Sequence, residues 1–212
     1  MADSRQNDLL RTHNSRLTNI AVFASGAGTN AQKIIDHFRN SSLARIALIV
    51  CNKKNAGVLQ IAEKENIPSL IIEKEKFFTG TGYLDELRGK NIDFIVLAGF
   101  LWKIPGSLLQ AYSRLIINIH PALLPKFGGQ GMYGSKVHEA VLAGKESESG
   151  ITIHYVDEHY DNGDIILQVK CPVQENDTPE SLANRIHLLE HANYPLVIEA
   201  LVRQLIATSH EL

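Results

Sequence analysis

Continuous apolar runs alternate with amphipathic ones along most of this chain. "IAVFAS", "RIALIVCN", "PSLIIE", "DFIVLAGF" and "RLIINIH" are rich in β-branched residues and unbroken by charge over their centres, the pattern of strands covered on both faces. Between them "AQKIIDHFRN", "GVLQIAEKEN", "GYLDELRGK" and "PGSLLQAYS" space their apolar residues three and four apart, which predicts helices. The alternation predicts an α/β domain with a mostly parallel sheet flanked by helices. After residue 145 the pattern changes. "GITIHYVDEHYDNGDIILQVKCPV" reads as a β-hairpin around a polar turn, and "TPESLANRIHLLEHANYPLVIEALVRQLI" as one closing helix. The polar residues 1–18 are expected to form a flexible tail, and residues 19–212 a single domain.

Composition narrows the function classes. At 212 residues and 44% hydrophobic the chain can bury one full core. Its 21 Lys and Arg against 23 Asp and Glu, with no basic stripe, argue against a nucleic-acid partner. No stretch approaches the ~20 apolar residues of a membrane span. The first residues carry charges where a signal peptide carries an apolar core, so no membrane partner and a cytoplasmic location are expected. Cys51 and Cys171 lie far apart in apolar runs and read as core residues rather than a disulfide or a metal site.

Three stretches carry candidate chemistry. "SGAGTNA", Ser25 to Ala31, joins an apolar strand to an amphipathic helix. Its glycines permit a sharp turn, and Thr29 and Asn30 stand where an N-cap would, so free N–H groups would face an anion. The same letters fit the loose dinucleotide fingerprint, but that reading needs an acid at the end of the second strand, which ends "LIVCNKKN". A plain tight turn is the remaining alternative. Asn118 and His120 stand two apart at the carboxyl end of a strand, so their side chains project to one side, toward the crevice where open α/β sheets keep ligands. Such a pair can hold an oxygen that becomes negative during acyl transfer, or His120 can be a satisfied structural histidine. Asp161 of "DEHYDNGDI" lies in the hairpin loop. Brought against His120 it would hold the ring, raise its pKa and relay protons; alone it is an ordinary turn aspartate.

Together "FASGAGTNAQKII", "VLAGF", "NIHPALLPKF", "DNGDIILQ" and "EHANYPLVI" resemble the folate-dependent glycinamide ribonucleotide formyltransferases over nearly all of residues 19–204. The resemblance implies a Rossmann-like formyltransferase fold and catalytic roles for Asn118, His120 and Asp161. It places the substrate phosphate on Gly28, Thr29 and Asn30, and a substrate-binding glutamate at Glu190. The folate side falls on Leu101, Trp102, Ile104 and Val156, with Trp102 and Lys103 standing where some relatives carry an arginine. It implies 10-formyltetrahydrofolate as cosubstrate, glycinamide ribonucleotide as acceptor and no metal, leaves a homodimer open, and implies a cis peptide at Leu124–Pro125.

Rival readings are distinguishable. A transfer-RNA formyltransferase is expected to carry a further carboxyl-terminal RNA-binding domain, and a formyltetrahydrofolate hydrolase a regulatory domain ahead of its catalytic part. Sugar-amine formyltransferases share the Asn-x-His and Asp pattern but leave "SGAGTN" unexplained. A nucleotide-binding module leaves Asn118, His120 and Asp161 without a task. The segment from Gly128 to Val141 reads as a mobile flap, and His138 within it as an exposed helical histidine.

Overall fold

A computed structural model describes residues 16–79 and 83–209. Seven strands form one sheet in the order β3-β2-β1-β4-β5-β6-β7. β1 (Thr18–Ala24), β2 (Ala44–Cys51), β3 (Ser69–Ile71), β4 (Phe94–Leu97) and β5 (Ile116–His120) are parallel, while β6 (Glu148–Tyr155) pairs antiparallel with β5 and β7 (Ile165–Pro172) antiparallel with β6. The expected hairpin therefore extends the main sheet, and residues 156–164 link its strands.

Alternate residues of β1 enter different cores, as a strand covered on both faces requires. Ile20, Val22 and Ala24 pack with α1 (Thr29–Phe38), α2 (Gly57–Lys64), α6 (Ser135–Ala143) and α7 (Pro179–Ser209), through residues such as Ile34, Val58, Val141 and Ile186. Ala21 and Phe23 face the opposite layer, where α3 (Lys74–Phe78), α4 (Leu84–Gly89) and α5 (Gly106–Ala111) contribute Phe77, Leu87 and Leu108.

The chain leaves β1 for β2 on one side and returns to β4 on the other, so the loops after β1 and β4 diverge at the carboxyl edge of the sheet. Such a switch point opens a crevice. Ser25 ties its two lips, with its N–H bonded to the Gly99 carbonyl at 3.1 Å and its Oγ accepting from the Leu101 N–H at 3.0 Å. The helix α7 starts on a reciprocal cap between Thr178 and Ser181, followed by Pro179 in the first helical position. Farther along, Tyr194 is fully buried and donates its hydroxyl to the Leu97 carbonyl at 2.9 Å, pinning α7 over the end of β4.

Two expectations change. Most of the expected tail, residues 1–15, lies outside the described residues, but Thr18 already belongs to β1 and Arg16 pairs with Asp93. The segment read as one flap is half helix: α6 takes up Ser135–Ala143, because Val137, His138 and Val141 share a buried face.

Candidate active site

Asn118 and His120 end β5 and both reach Asp161, which the β6–β7 connection brings back across the strand end. His120 Nδ1 lies 3.5 Å from Asp161 Oδ2, and Asn118 Nδ2 lies 3.4 Å from Asp161 Oδ1. His154 joins them from β6, where it is the cross-strand partner of Asn118. Its Nε2 is 3.2 Å from Asn118 Nδ2 and 3.7 Å from Asp161 Oδ1. These contacts to Asp161 are longer than a charge-assisted hydrogen bond of about 2.7–2.9 Å, so the side chains surround a shared point rather than clench it. Two backbone groups of the segment after β5 hold the set from outside. His120 Nε2 donates to the Phe127 carbonyl at 2.8 Å, and the Gly129 N–H donates to Asp161 Oδ2 at 2.9 Å. The Leu124–Pro125 peptide in that segment is cis, as the resemblance implied.

Bonds with a single allowed direction settle the proton positions. A carbonyl only accepts, so His120 carries its proton on Nε2 and turns Nδ1 toward Asp161. By the same argument His154 donates from Nδ1 to the Tyr155 carbonyl at 2.8 Å and accepts at Nε2 from Asn118. Burial lowers the His120 pKa from its ordinary 6.5, against the raising effect of Asp161 and of the Phe127 carbonyl. Asp161 was expected to raise that pKa, and it does act in that direction; desolvation of a ring only 3% exposed outweighs it. For Asp161 itself burial pushes upward, but the Gly129 N–H, together with the positive charge of His154 or His120 whenever either ring is protonated, holds it below the usual carboxylate value.

The glycine-rich loop is placed differently from expectation. The N-cap of α1 is Gly28, in the left-handed region at φ 82°, and Thr29 and Asn30 are the first helical residues. A Cβ on Gly28 would stand 2.8 Å from Val58 Cβ, so α2 packs where only glycine leaves room. A cleft of about 490 Å³ opens beside the loop, lined by Ser25, Gly26, Ala27, Asn55 and two lysines, Lys53 and Lys54. The lysines follow β2, the strand next to β1. In "LIVCNKKN" the letters alone show a missing acid; the two cations gain meaning because β2, parallel to β1, delivers its end to the same crevice.

Asn30 turns from that cleft toward α7 and donates to Glu190 Oε2 at 2.8 Å. Glu190 is 5% exposed, and burial raises its pKa against the lowering bond from Asn30 and the effect of His187. The Asn30 Oδ1 is enclosed without a partner. A ligand hydroxyl suits such a pair of acceptors.

Of the residues assigned to folate, Ile104 is 3% exposed and belongs to the core, while Trp102 and Val156 pack against it half-buried. Trp102 meets Phe77 and Phe78 at ring-centre distances of 5.7 Å. Leu101, also half-buried, is fixed to Ser25 through its N–H. His138 is not an exposed helical residue: α6 packs on α7 and leaves it 3% exposed, near His120 and His187. A larger cavity, about 700 Å³, lies at the amino ends of β1 and β4 between Leu43, Ile92 and Tyr112, far from Asn118, His120 and Asp161. Chemistry rather than size marks the candidate site. Among the described residues no group of three or more histidine, cysteine, aspartate or glutamate side chains could hold a metal ion.

The fold is an α/β open sheet covered on both faces, in which an amide, an imidazole and a carboxylate converge at the end of β5, the neighbour of the switch-point strand β4, a set suited to acyl transfer. Residues 18–198 match the formyl transferase family. The chain belongs to that family. It is 43% identical over 199 residues to the chloroplastic phosphoribosylglycinamide formyltransferase of Arabidopsis thaliana, a match covering 91% of this chain and 68% of that protein. To the phosphoribosylglycinamide formyltransferase of Bacillus subtilis it is 41% identical over 187 residues, covering 86% of this chain and 93% of the other. It spans 62% of the chloroplastic relative from Vigna unguiculata. The crystal structure of glycinamide ribonucleotide transformylase 1 from Geobacillus kaustophilus superimposes with a TM-score of 0.79 at 39% identity, over 88% of this chain and all of that one.

Proposed function

We propose that residues 19–212 form one catalytic domain that moves the formyl group of 10-formyltetrahydrofolate to the amine of 5'-phosphoribosylglycinamide, giving formylglycinamide ribonucleotide and tetrahydrofolate in purine synthesis. The carrying observation is the convergence of Asn118, His120 and Asp161 at one point on the carboxyl edge of the sheet, the edge that also carries the glycine-rich loop. The acceptor's phosphate fits the first turn of α1, where Gly28, Thr29 and Asn30 leave N–H groups without intrahelical acceptors and Lys53 and Lys54 add positive charge. Glu190 and Asn30 suit its sugar hydroxyls. The folate lies along Leu101, Trp102 and Val156, with Ile104 backing that wall from the core.

The amine attacks the formyl carbon, forming a carbon–nitrogen bond and a tetrahedral oxyanion. Asn118 offers the N–H now loosely set at 3.4 Å from Asp161. The amine's proton enters the His120–Asp161 pair through the free Nδ1, and the imidazolium so formed faces both the oxyanion and the Asp161 carboxylate. The oxyanion collapses, the bond to the folate nitrogen breaks, and the pair returns the proton to that nitrogen. A low resting His120 pKa serves this order, because the ring is neutral and able to accept. A cytoplasmic location is part of this reading; among the described residues no helix is long and apolar enough to cross a membrane.

The test is formyl transfer measured with both purified substrates, beside thermal shifts with each. The reading requires transfer and a response to both ligands. Stabilisation by nucleotide alone would identify a binding module, and an amine lacking the phosphate serving equally well would identify another acceptor.

A further inference from the structure

The segment that leaves β5 folds back over its own strand end, and it touches the reacting pair through main chain rather than side chains. The bond from the Gly129 N–H, at 2.9 Å, is the shortest contact Asp161 makes; the distances from Asn118, His120 and His154 are 3.4, 3.5 and 3.7 Å. Two residues earlier the Phe127 carbonyl holds the His120 Nε2–H at 2.8 Å. The two backbone groups therefore set the carboxylate's position and the ring's tautomer together. Gly129 makes this geometry at φ 95°, a conformation that side-chain-bearing residues seldom adopt, and a Cβ there would meet nothing within 4 Å. Its glycine is required by backbone conformation alone, not by crowding.

Resting on the reading of His120 and Asp161 as the proton-carrying pair, we propose that Gly129 is a positioning residue: its N–H, presented at positive φ, seats Asp161 opposite His120 and keeps its carboxylate ready to take charge. The titratable groups facing Asp161 are His120 from β5 and His154 from β6, and His138 of α6 stands behind His120. From the folded-back segment only backbone reaches it; Lys126 there is paired with Glu146. Loss of the Gly129 bond removes one of the causes that lower the Asp161 pKa, so its titration must move upward.

The test compares Gly129→Ala and Gly129→Val with Gly129→Asn, since asparagine tolerates positive φ best among the other residues. Carbon-13 carboxyl titration of the unliganded protein should move the Asp161 midpoint up by about one pH unit in the Ala and Val variants, and by less in the Asn variant. In turnover the first two should lose ~10-fold in kcat with the ribonucleotide KM within about twofold, and Asn should restore part of the loss. In the unmutated protein the Gly129 amide should shift and lose exchange protection at the Asp161 midpoint. A folded Ala variant with an unmoved midpoint, or a Gly129 amide indifferent to that titration, overturns the proposal. Both readouts need no substrate, so a parent protein inactive in formyl transfer would sink the functional reading while the titrations still judge Gly129.

Discussion

His154 Nε2 accepts a hydrogen bond from Asn118 Nδ2 at 3.2 Å across the β5–β6 pair, and its own Nδ1 donates to the Tyr155 carbonyl at 2.8 Å. The carbonyl fixes the tautomer, the tautomer makes Nε2 an acceptor, and that acceptor fixes which way the Asn118 amide faces. Reversed, the amide would set its oxygen against the Asp161 carboxylate. His154→Phe keeps the buried ring volume and removes the acceptor. If Asn118 acts, as proposed, on charge that exists only in the transition state, turnover should fall ~10-fold or more while the ribonucleotide KM stays within about threefold. A KM effect with unchanged kcat would show that His154 serves binding instead.

Asp161→Asn removes the charge that favours imidazolium and half of the proposed proton-carrying pair. Turnover should fall by at least ~10² with ribonucleotide binding retained, measured by steady-state kinetics and calorimetry. In the parent, burial holds His120 below 6.5, so the pair is ready to accept a proton at neutral pH. Hence kcat should be flat above pH 7 and should decline with falling pH only below 6.5, with an apparent midpoint that belongs to the pair. A decline already complete at pH 7 would contradict the direction of that shift.

Asn30→Ala and His120→Ala should fail differently. Asn30 touches Glu190 and lies in the first turn of α1, so its loss should raise the ribonucleotide KM with little change in the folate constant. Truncating His120 should mainly lower kcat. Because Gly28 and not Asn30 is the N-cap, Asn30→Ala should not show the ~1 kcal/mol loss typical of removing a side-chain cap. Glu190 left without its donor should titrate still higher, which carboxyl NMR can follow.

His138 gives a stability prediction. Burial, with the nearby His187 and His120, lowers its pKa from 6.5 to about 4. The unfolded chain therefore binds a proton that the native protein refuses, and stability present above pH 6.5 is lost as pH falls from 6.5 through 4. The depression corresponds to ~3 kcal/mol. Denaturant unfolding at pH 7.5 and 4.5 should show this loss, and His138→Phe should reduce it. An unchanged pH dependence in the folded variant would mean the ring is not the group responsible.

The sequence by itself determined the layered sheet, because residues alternating between two cores must be apolar at nearly every position, and runs such as "IAVFAS" announce that without any partner being known. It also determined the pairing of Asn118 with His120, since two-residue spacing on a strand is local geometry. Other features needed partners distant in sequence. Asp161 is an ordinary loop aspartate until β6 and β7 carry it back 43 residues to Asn118, and Asn30 reads as a cap until α7 places Glu190 beside it, 160 residues away. His154 lies in an alternating strand whose letters do not say which neighbour it will face, and His138 counts as exposed until α7 covers α6. Periodicity reports which face of an element is buried; hydrogen-bond partners and burial-driven pKa shifts depend on distances between elements, which exist only once the chain has folded.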